Sequence, residues 1–385
     1  MTSHSLDTRA VHAGRDDLVD LGVHAVPIDL STTYPSRDSR AEAARLDVLG
    51  TGADDGGLPV YARVGNPTVA RFEQALAVLE SADAGVAFAS GMAALSACLL
   101  AAVTAGRPHV VAVRPLYGTN DHLLDSGLLG TSITWTTADG VADAVTDRTG
   151  LIVIETPGNP TLDEIDIPAL AASVPDVPVL VDNTFATPVL QRPLELGAAY
   201  VLHSATKYLG GHGDVMGGII ACSEERARPL RQLRFATGAM LHPLAGYLLL
   251  RGLSTLPMRI RAASRNAAEL ADRLSRHPAV TRVHYPGLSG PRPAHHMDGG
   301  GAIVSIEITG EPADVIAAVR VFTPAVSLGS VDSLIQHPGS LSHHIMDPDA
   351  RAKAGISEQL LRLSVGIEDI EDLWTDLDTA LSCAR

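Results

Sequence analysis

The sequence predicts an α/β protein built on a mostly parallel central sheet. Short apolar segments alternate with helical segments from about residue 68 onward, which is the rhythm of that class. Several apolar segments end in polar residues that run into a loop or a helix, as strands of open parallel sheets do. The chain of 385 residues is also longer than one ordinary core, so a second, smaller unit is expected.

The first sixty residues predict an arm rather than a domain. They are polar, are interrupted by Pro27, Pro35 and the stretch 52–59, and show little sustained periodicity. Regular elements are expected after them. The predicted helices are 68–79 and 91–103, and the predicted strands are 85–89, 109–113, 132–136, 151–155, 179–182 and 200–203.

Residues 244–275 predict a long helix that is interrupted near Pro257. A smaller region follows, in which strands at 302–308 and 360–365 alternate with helices near 312–321 and 367–382. We place the boundary near residue 250. The predicted organisation is an N-terminal arm (1–60), a cofactor-binding domain (61–250) and a C-terminal domain (251–385).

Composition excludes several classes of function. The net charge of −15 would repel a nucleic-acid backbone, and no dense block of Lys and Arg opposes that field. Three scattered cysteines do not form a disulfide framework. Neither a signal segment nor an apolar run of about 18 to 20 residues is present. We therefore expect a soluble cytoplasmic protein that binds neither nucleic acid nor membrane.

A candidate phosphate site follows the predicted strand 85–89. Ser90, Gly91 and Met92 lead directly into a helix, whose first N–H groups and positive dipole end suit an anion. The alternative is an ordinary helix N-cap, for which Ser followed by Gly is equally suitable.

Two further strand ends carry a carboxylate and an amine. Asp182 ends the strand at 179–182, and Lys207 lies just beyond the strand at 200–203. In an enzyme that uses pyridoxal 5'-phosphate (PLP), such an Asp keeps the pyridine nitrogen protonated, and such a Lys forms a Schiff base and later acts as general base. A buried ion pair is the alternative, but the hydroxyls of Ser204 and Thr206 beside Lys207 favour a phosphate-bearing cofactor.

The segment 204–208, Ser-Ala-Thr-Lys-Tyr, followed by Gly-Gly-His-Gly-Asp at 210–214, resembles the PLP attachment site of the Cys/Met metabolism (trans-sulfuration) family. The resemblance extends from about residue 5 to the end of the chain. It implies a PLP-dependent transferase of fold type I, a small L-amino acid as substrate, and a homotetramer built from dimers that share active sites.

Further motifs resemble the cofactor side of that family. The segment 61–68 resembles the motif whose Tyr and Arg, here Tyr61 and Arg63, reach the phosphate of a neighbouring subunit. Ser90-Gly91-Met92 resembles the phosphate loop. The segments 116–118 and 155–160 resemble those whose Tyr stacks on the pyridine ring and whose Asn approaches the ring hydroxyl. These two residues are Tyr117 and Asn159.

The segments 327–329 and 361–366 resemble those that form the substrate end of the site in that family. In them the resemblance assigns Ser327 to substrate binding and Arg362 to a two-pronged contact with the α-carboxylate. The implied reaction begins when the substrate amine replaces Lys207 on the cofactor, after which Lys207 takes the Cα proton. Tyr117 is the implied acid that assists departure of a group from Cγ.

The vinylic intermediate of this reaction has two outcomes. Hydrolysis to a 2-oxo acid and ammonia is γ-elimination, and addition of a nucleophile is γ-replacement. Members acting on cystathionine often carry Glu where this chain has Val326, suited to a distal ammonium. Val326 therefore favours a substrate with an uncharged tail, such as methionine, and predicts a γ-lyase.

The alternatives are a γ-replacement synthase acting on homoserine-type substrates and a specialised enzyme with a non-sulfur leaving group. Departures from the usual methionine-lyase pattern keep the second open; they are Thr119, Arg234-Phe235, Ser330 and Leu341-Ser342-His343-His344. An aminotransferase and a non-catalytic binding protein fit the retained motifs less well. No metal is expected, because His337, His343 and His344 lack acid or Cys partners at diagnostic spacing.

Overall fold

The computed structural model describes residues 4–54, 56–57, 59–288 and 297–383. The first three residues, residues 55 and 58 of the predicted arm, and residues 289–296 and 384–385 of the predicted C-terminal domain lie outside the described residues. The arm contains two helices that the sequence analysis did not predict, α1 (Leu6–His12) and α2 (Ser39–Gly50). Helix α2 buries none of its residues, so it has no apolar stripe for a periodicity argument to detect.

A large sheet forms the centre of the molecule and confirms the predicted fold class. Its strands are β1 (Ala84–Phe88), β2 (His109–Val113), β3 (Ser132–Thr136), β4 (Thr149–Glu155), β5 (Val179–Asp182), β6 (Tyr200–His203) and β7 (Gly218–Cys222). The order across the sheet is β1-β7-β6-β5-β4-β2-β3. Strand β7 runs antiparallel to both of its neighbours, and the other pairs are parallel.

Helices cover the two faces of this sheet and bury two apolar layers against it. They are α3 (Pro67–Glu80), α4 (Gly91–Thr104), α5 (Gly118–Ser126), α6 (Val141–Ala144), α7 (Ile167–Ser173), α8 (Thr187–Leu190) and α9 (Glu224–Thr237). Most bounds of the predicted strands agree with the structure. A strand before Cys222 is also expected from the sequence, without defined bounds, and the fully buried β7 lies there and includes Cys222.

The predicted long helix is two helices, α10 (Pro243–Leu253) and α11 (Leu256–Leu274), with Pro257 in the first turn of the second. This confirms the interruption near Pro257, because proline is tolerated in the first turn of a helix but not in its interior. Leu249 packs in the core of the large sheet, whereas Leu270 packs in a separate core further along the chain.

The separate core belongs to a smaller sheet of order β10-β11-β12-β9-β8. Its strands are β8 (Val280–His284), β9 (Ile303–Ile308), β10 (Thr323–Pro324), β11 (Leu334–Gln336) and β12 (Leu360–Ser364), and the accompanying helices are α12 (Pro312–Ala318), α13 (Pro348–Lys353) and α14 (Ile370–Cys383). Strands β8, β10 and β11 were not predicted. Among the described residues, none of the helices combines the length and apolar character needed to cross a membrane.

Candidate active site

A cavity of about 700 Å³ lies where the carboxyl ends of β4, β5 and β6 meet the smaller sheet. It brings together every site residue that the sequence predicted except Tyr61 and Arg63. Those lining it are Ser90, Gly91, Met92, Tyr117, Asn159, Asp182, Ser204, Thr206, Lys207, Val326, Ser327 and Arg362. The location follows from the topology, because ligands of open α/β sheets sit beyond the carboxyl ends of the strands.

Lys207 lines this cavity, four residues beyond the end of β6. Its Nζ donates a hydrogen bond to Ser327 Oγ at 2.6 Å, which links the large sheet to the smaller one. Burial, assisted by the positive charge of Arg362, lowers the pKa of the Lys207 amine to about 8. A neutral amine is the form that can attack a carbonyl group, so this environment prepares Lys207 as a nucleophile.

Asp182 is buried at the end of β5. One of its carboxylate oxygens accepts hydrogen bonds from the Thr184 N–H at 3.0 Å and from Thr184 Oγ1 at 2.5 Å. Burial raises the Asp182 pKa, and the Thr184 hydrogen bonds oppose that effect. The charged carboxylate is therefore costly in this position, and a protonated pyridine nitrogen is a group that would stabilise it.

Glu155 is a second buried carboxyl group at this edge, and it is not among the site residues predicted from the sequence. It is paired with Asp182 in the register of β4 and β5. Burial, followed by the charge of Asp182, raises the Glu155 pKa well above its ordinary value. Glu155 Oε2 accepts a hydrogen bond from the Tyr117 N–H at 2.8 Å, so it also fixes the backbone of the predicted ring-stacking residue.

The start of α4 forms one end of the cavity and suits a phosphate. Ser90 caps this helix, with its Oγ accepting from the Ala93 N–H at 3.1 Å. A Cβ on Gly91 would lie 3.1 Å from Ser204 Cβ, so glycine lets the helix N-terminus approach the Ser204 hydroxyl closely. Thr206 Oγ1 is held by the Gly217 backbone at 3.1 and 3.2 Å. These residues fit the phosphate of PLP.

Arg362 also lines the cavity and is buried on β12. Its Nη1 donates to Asn159 Oδ1 at 2.8 Å and its Nη2 donates to the Ser327 carbonyl at 2.9 Å. Its Nε is buried without a partner among the described residues. Burial lowers the Arg362 pKa to about 10. A substrate carboxylate would stabilise the charge of this guanidinium.

Ser327 contacts both Lys207 and Arg362. Its hydroxyl accepts from Lys207 and its carbonyl accepts from Arg362. Its backbone has φ of 104°, in the left-handed region that non-glycine residues rarely adopt. Such strain is typical of functional sites, where the surrounding structure holds a residue in a costly conformation.

Tyr61 and Arg63 lie outside the cavity of their own chain. Arg63 Nη1 donates to the Phe235 carbonyl at 3.1 Å, and its guanidinium lies over the Phe235 ring at 4.6 Å. Arg63 lines a different cavity, of about 640 Å³, between the arm, α3 and α9. Their predicted action on the cofactor phosphate of a neighbouring subunit stays a prediction.

Among the described residues, no group of three or more His, Cys, Asp or Glu side chains is arranged to hold a metal ion. His343, one of the three histidines weighed for that role, is instead fully buried beside the cavity. Gln336 lines the cavity and was also missed by the sequence analysis. Neither residue has a local signal, because each contributes through contacts with distant parts of the chain.

The sheet order, the half-buried Lys207, the buried Asp182 and the anion cradle at α4 together define a PLP-dependent enzyme of fold type I. A family profile described as "Cys/Met metabolism PLP-dependent enzyme" matches residues 7–382, and the chain belongs to that family. The resemblance inferred from the motifs is thereby confirmed, and so is PLP as the cofactor.

Two curated relatives carry the name L-methionine gamma-lyase. One, from Streptomyces avermitilis, is 66% identical over 99% of this chain and 90% of the relative. The other, from Brevibacterium sandarakinum, is 53% identical over 100% of this chain and 99% of the relative.

Solved structures show the same architecture. A cystathionine gamma-lyase from Lactobacillus plantarum, complexed with L-serine, matches with a TM-score of 0.89, 34% identity and coverage of 99% of both chains. A cystathionine gamma-synthase from Xanthomonas oryzae pv. oryzae, in complex with aminoacrylate and cysteine, matches with a TM-score of 0.88 and 35% identity, covering 99% of this chain and 98% of that chain.

Proposed function

We propose that this protein is a γ-lyase that removes the Cγ substituent of an L-amino acid with an uncharged tail, and that L-methionine is its preferred substrate. The balanced reaction converts methionine and water to 2-oxobutyrate, ammonia and methanethiol. Cystathionine and homoserine-type analogues are the weaker substrates in this proposal.

The observation that carries the proposal is the distribution of charge around the cavity. Among its described lining residues, the carboxyl groups are Glu155 and Asp182, and both are buried at the ends of strands of the large sheet. The mouth of the cavity is instead lined by apolar side chains, among them Met216, Val326, Leu341 and Ile345. These apolar residues offer no carboxylate to the distal ammonium of cystathionine, whereas a thioether needs none. The carboxylates of Asp214 and Asp332 line an adjoining cavity that also includes Met216 and Val326.

Each predicted residue then has a role that its position supports. Arg362, held by Asn159 and Ser327, would bind the α-carboxylate and so orient the Cα–H bond. Lys207 would take the Cα proton, and Tyr117, on the cavity wall, would donate a proton to the departing thiolate. Bound PLP supplies the electron sink that makes loss of the Cα proton feasible.

A γ-replacement synthase is the second candidate, because the overall structure also matches a cystathionine gamma-synthase closely. A leaving group other than a thiolate is a third, since Thr119 and Leu341 line the cavity at positions that depart from the usual methionine-lyase pattern. Both candidates differ from the proposal in the products that they form.

The experiment is an assay of the PLP-loaded protein with L-methionine, L-cystathionine, O-acetyl-L-homoserine and O-succinyl-L-homoserine, without added thiol. We expect 2-oxobutyrate and ammonia, with the highest kcat/KM for L-methionine. A new thioether that forms only when a thiol and an activated homoserine are both present would overturn the proposal in favour of a synthase.

Val326→Glu provides an internal test of the charge argument. It should raise the ratio of kcat/KM for cystathionine to that for methionine by up to about fivefold, since an exposed ion pair is weak and Val326 is 58% exposed. Val326→Gln is the uncharged control of similar size and should leave the ratio unchanged. An equal effect of both variants would contradict the charge argument.

We also propose the organisation and setting that the sequence suggests. The chain would act as a cytoplasmic homotetramer, with an arm (1–60), a PLP-binding domain (61–250) and a C-terminal domain (251–385). Exposed apolar side chains on the arm support the assembly, because Val19 is 89% exposed, Leu30 is 62% exposed and Leu21 is 51% exposed in the single chain.

A further inference from the structure

Three polar residues beside the cavity form a hydrogen-bond chain of their own. Gln336 Nε2 lies 3.0 Å from Ser342 Oγ, and Ser342 Oγ lies 2.9 Å from His343 Nδ1. His343 Nε2 lies 3.3 Å from the Leu116 carbonyl and 3.2 Å from the Asn159 carbonyl. We call Gln336, Ser342 and His343 the histidine relay.

The direction of every hydrogen bond in the relay is fixed by its two carbonyl ends. A carbonyl oxygen can only accept, so His343 Nε2 carries the hydrogen and Nδ1 is the acceptor. The Ser342 hydroxyl therefore donates to Nδ1, and the Gln336 amide donates to Ser342. Burial and the charge of Arg362 lower the His343 pKa to about 4, in agreement with a neutral ring.

The two carbonyls belong to segments that carry the reacting groups. Leu116 directly precedes Tyr117, the predicted acid, and Asn159 holds the Arg362 guanidinium through its side chain. In sequence, His343 is 227 residues from Leu116 and 184 residues from Asn159. A single buried N–H therefore joins the segment that carries the acid to the residue that holds the carboxylate-binding group.

Close packing supports the same arrangement. A Cβ on Gly118 would lie 2.3 Å from the Ser342 carbonyl, so the start of α5 approaches the relay as closely as a backbone can. Gln336 is also the cross-strand neighbour of Arg362 between β11 and β12. The relay thus borders Tyr117 on one side and Arg362 on the other.

We propose that His343 is a positioning residue, whose Nε2–H holds the Leu116 and Asn159 backbones so that Tyr117 and Arg362 keep their separation across the cavity. The residue itself exchanges no proton with the substrate. This inference rests on the proposed γ-lyase function only for its effect on turnover, because its effect on amino-acid binding is independent of the reaction.

The test compares two variants in which an amide side chain replaces the imidazole. They distinguish the role of Nε2 from that of Nδ1. His343→Gln places an N–H near the position of Nε2, whereas His343→Asn reaches only the position of Nδ1. Glycine is the binding probe, since it has the α-carboxylate but no Cγ to eliminate, and its binding is followed by the visible absorption of bound PLP. His122→Gln, an exposed replacement on α5, is the control.

We expect His343→Asn to weaken glycine binding about tenfold, the effect of one lost hydrogen bond. It should also lower kcat/KM for methionine on the order of 10²-fold, because misplacement of catalytic groups by about 1 Å has that effect. His343→Gln should stay within about threefold of the wild type. Equal glycine binding by the Asn and Gln variants, whether normal or weakened, would overturn the proposal.

Ser342→Ala covers the case in which His343→Asn does not fold. It keeps the imidazole, its packing and its tautomer but removes the hydroxyl that donates to Nδ1, so we expect glycine binding to weaken by about threefold. Unchanged binding would contradict the relay. If the wild type binds glycine but releases no 2-oxobutyrate from methionine, the proposed function fails while the positioning role is still tested by the glycine titrations.

Discussion

The amine of Lys207 illustrates how the residues of this site depend on their surroundings. Its pKa is lowered chiefly by burial and then by Arg362, a group that is itself held in place by Asn159 and Ser327. Ser327 in turn accepts the hydrogen bond from Lys207. The nucleophile and the carboxylate-binding group are therefore electrostatically linked before any ligand is bound.

This linkage predicts the pH dependence of cofactor loading. Because a protonated amine cannot attack the PLP aldehyde, the rate at which the cofactor-free protein takes up PLP should rise through a pH of about 8 and then level off. The measurement is the growth of the visible absorption of bound PLP at a series of pH values. Nα-acetyl-lysine, which has an ordinary amine pKa, is the reference. Its rate of reaction with PLP should continue to rise above that pH.

The Lys207→Ala variant is the control and should show no such absorption. Arg362→Met removes the second cause of the lowered pKa and should move the midpoint to higher pH. A midpoint for the wild type that coincides with that of Nα-acetyl-lysine would show that burial does not tune this amine.

At the scale of elements, the site depends on how closely helix α4 approaches the end of β6. Gly91→Ala would place a Cβ 3.1 Å from Ser204 Cβ, closer than side-chain carbons usually pack. We expect overpacking of about 1 kcal/mol or more, with a corresponding loss of PLP affinity of about fivefold or more. The measurement is the PLP dissociation constant of the cofactor-free protein, together with its Tm.

Gly50→Ala is the matched control, because a Cβ at that position, at the end of α2, meets no atom within 4 Å. It should leave the PLP dissociation constant unchanged. If Gly91→Ala binds PLP as tightly as the wild type, the close approach of α4 to Ser204 is not needed for the phosphate site.

Most elements of the large sheet could be predicted because their patterns are local. Strand β5 is short, apolar and opened by Pro178, and its bounds agree with the prediction. Strand β7 is equally apolar, but it follows a glycine-rich loop and is inserted antiparallel between β1 and β6. That placement is decided by tertiary pairing, which no local pattern reports.

The site residues, like the strands, could be predicted only where a local pattern identifies them. Asp182 ends a strand, and Lys207 and the start of α4 follow strands within a few residues, so strand-end reasoning could identify them. Gln336 and His343 could not be found in that way. Gln336 lies beside Arg362 only because β11 pairs with β12, and the two carbonyl partners of His343 lie in loops far away in the sequence. A histidine in a loop has no local feature that distinguishes buried positioning from solvent exposure.

At the scale of the whole molecule, contacts within a single chain do not explain the exposed side chains of the arm and of the segment that follows it. Tyr61 is 44% exposed and Arg63 is turned toward Phe235, away from the cavity that holds Lys207. Val19 and Leu30 on the same arm are also exposed. These features are accounted for together if the arm crosses to a second copy and completes the phosphate site there.

Subunit complementation tests this arrangement directly. Arg63→Ala and Lys207→Ala should each have little activity alone. After subunits are exchanged in a 1:1 mixture, half of the dimers are hybrid, and each hybrid contains one site with an intact Lys207 and an intact Arg63 from its partner. The expected recovery is about a quarter of the wild-type activity.

The control mixture is Lys207→Ala with Asp182→Asn, because both of these residues line the cavity of one chain and no hybrid site can be intact. It should recover nothing. A gain in the first mixture and not in the second would mean that Arg63 acts across the interface, so that a monomer lacks part of its phosphate site. Without a gain in either mixture, although mass spectrometry shows hybrid assemblies, Arg63 would act only within its own chain.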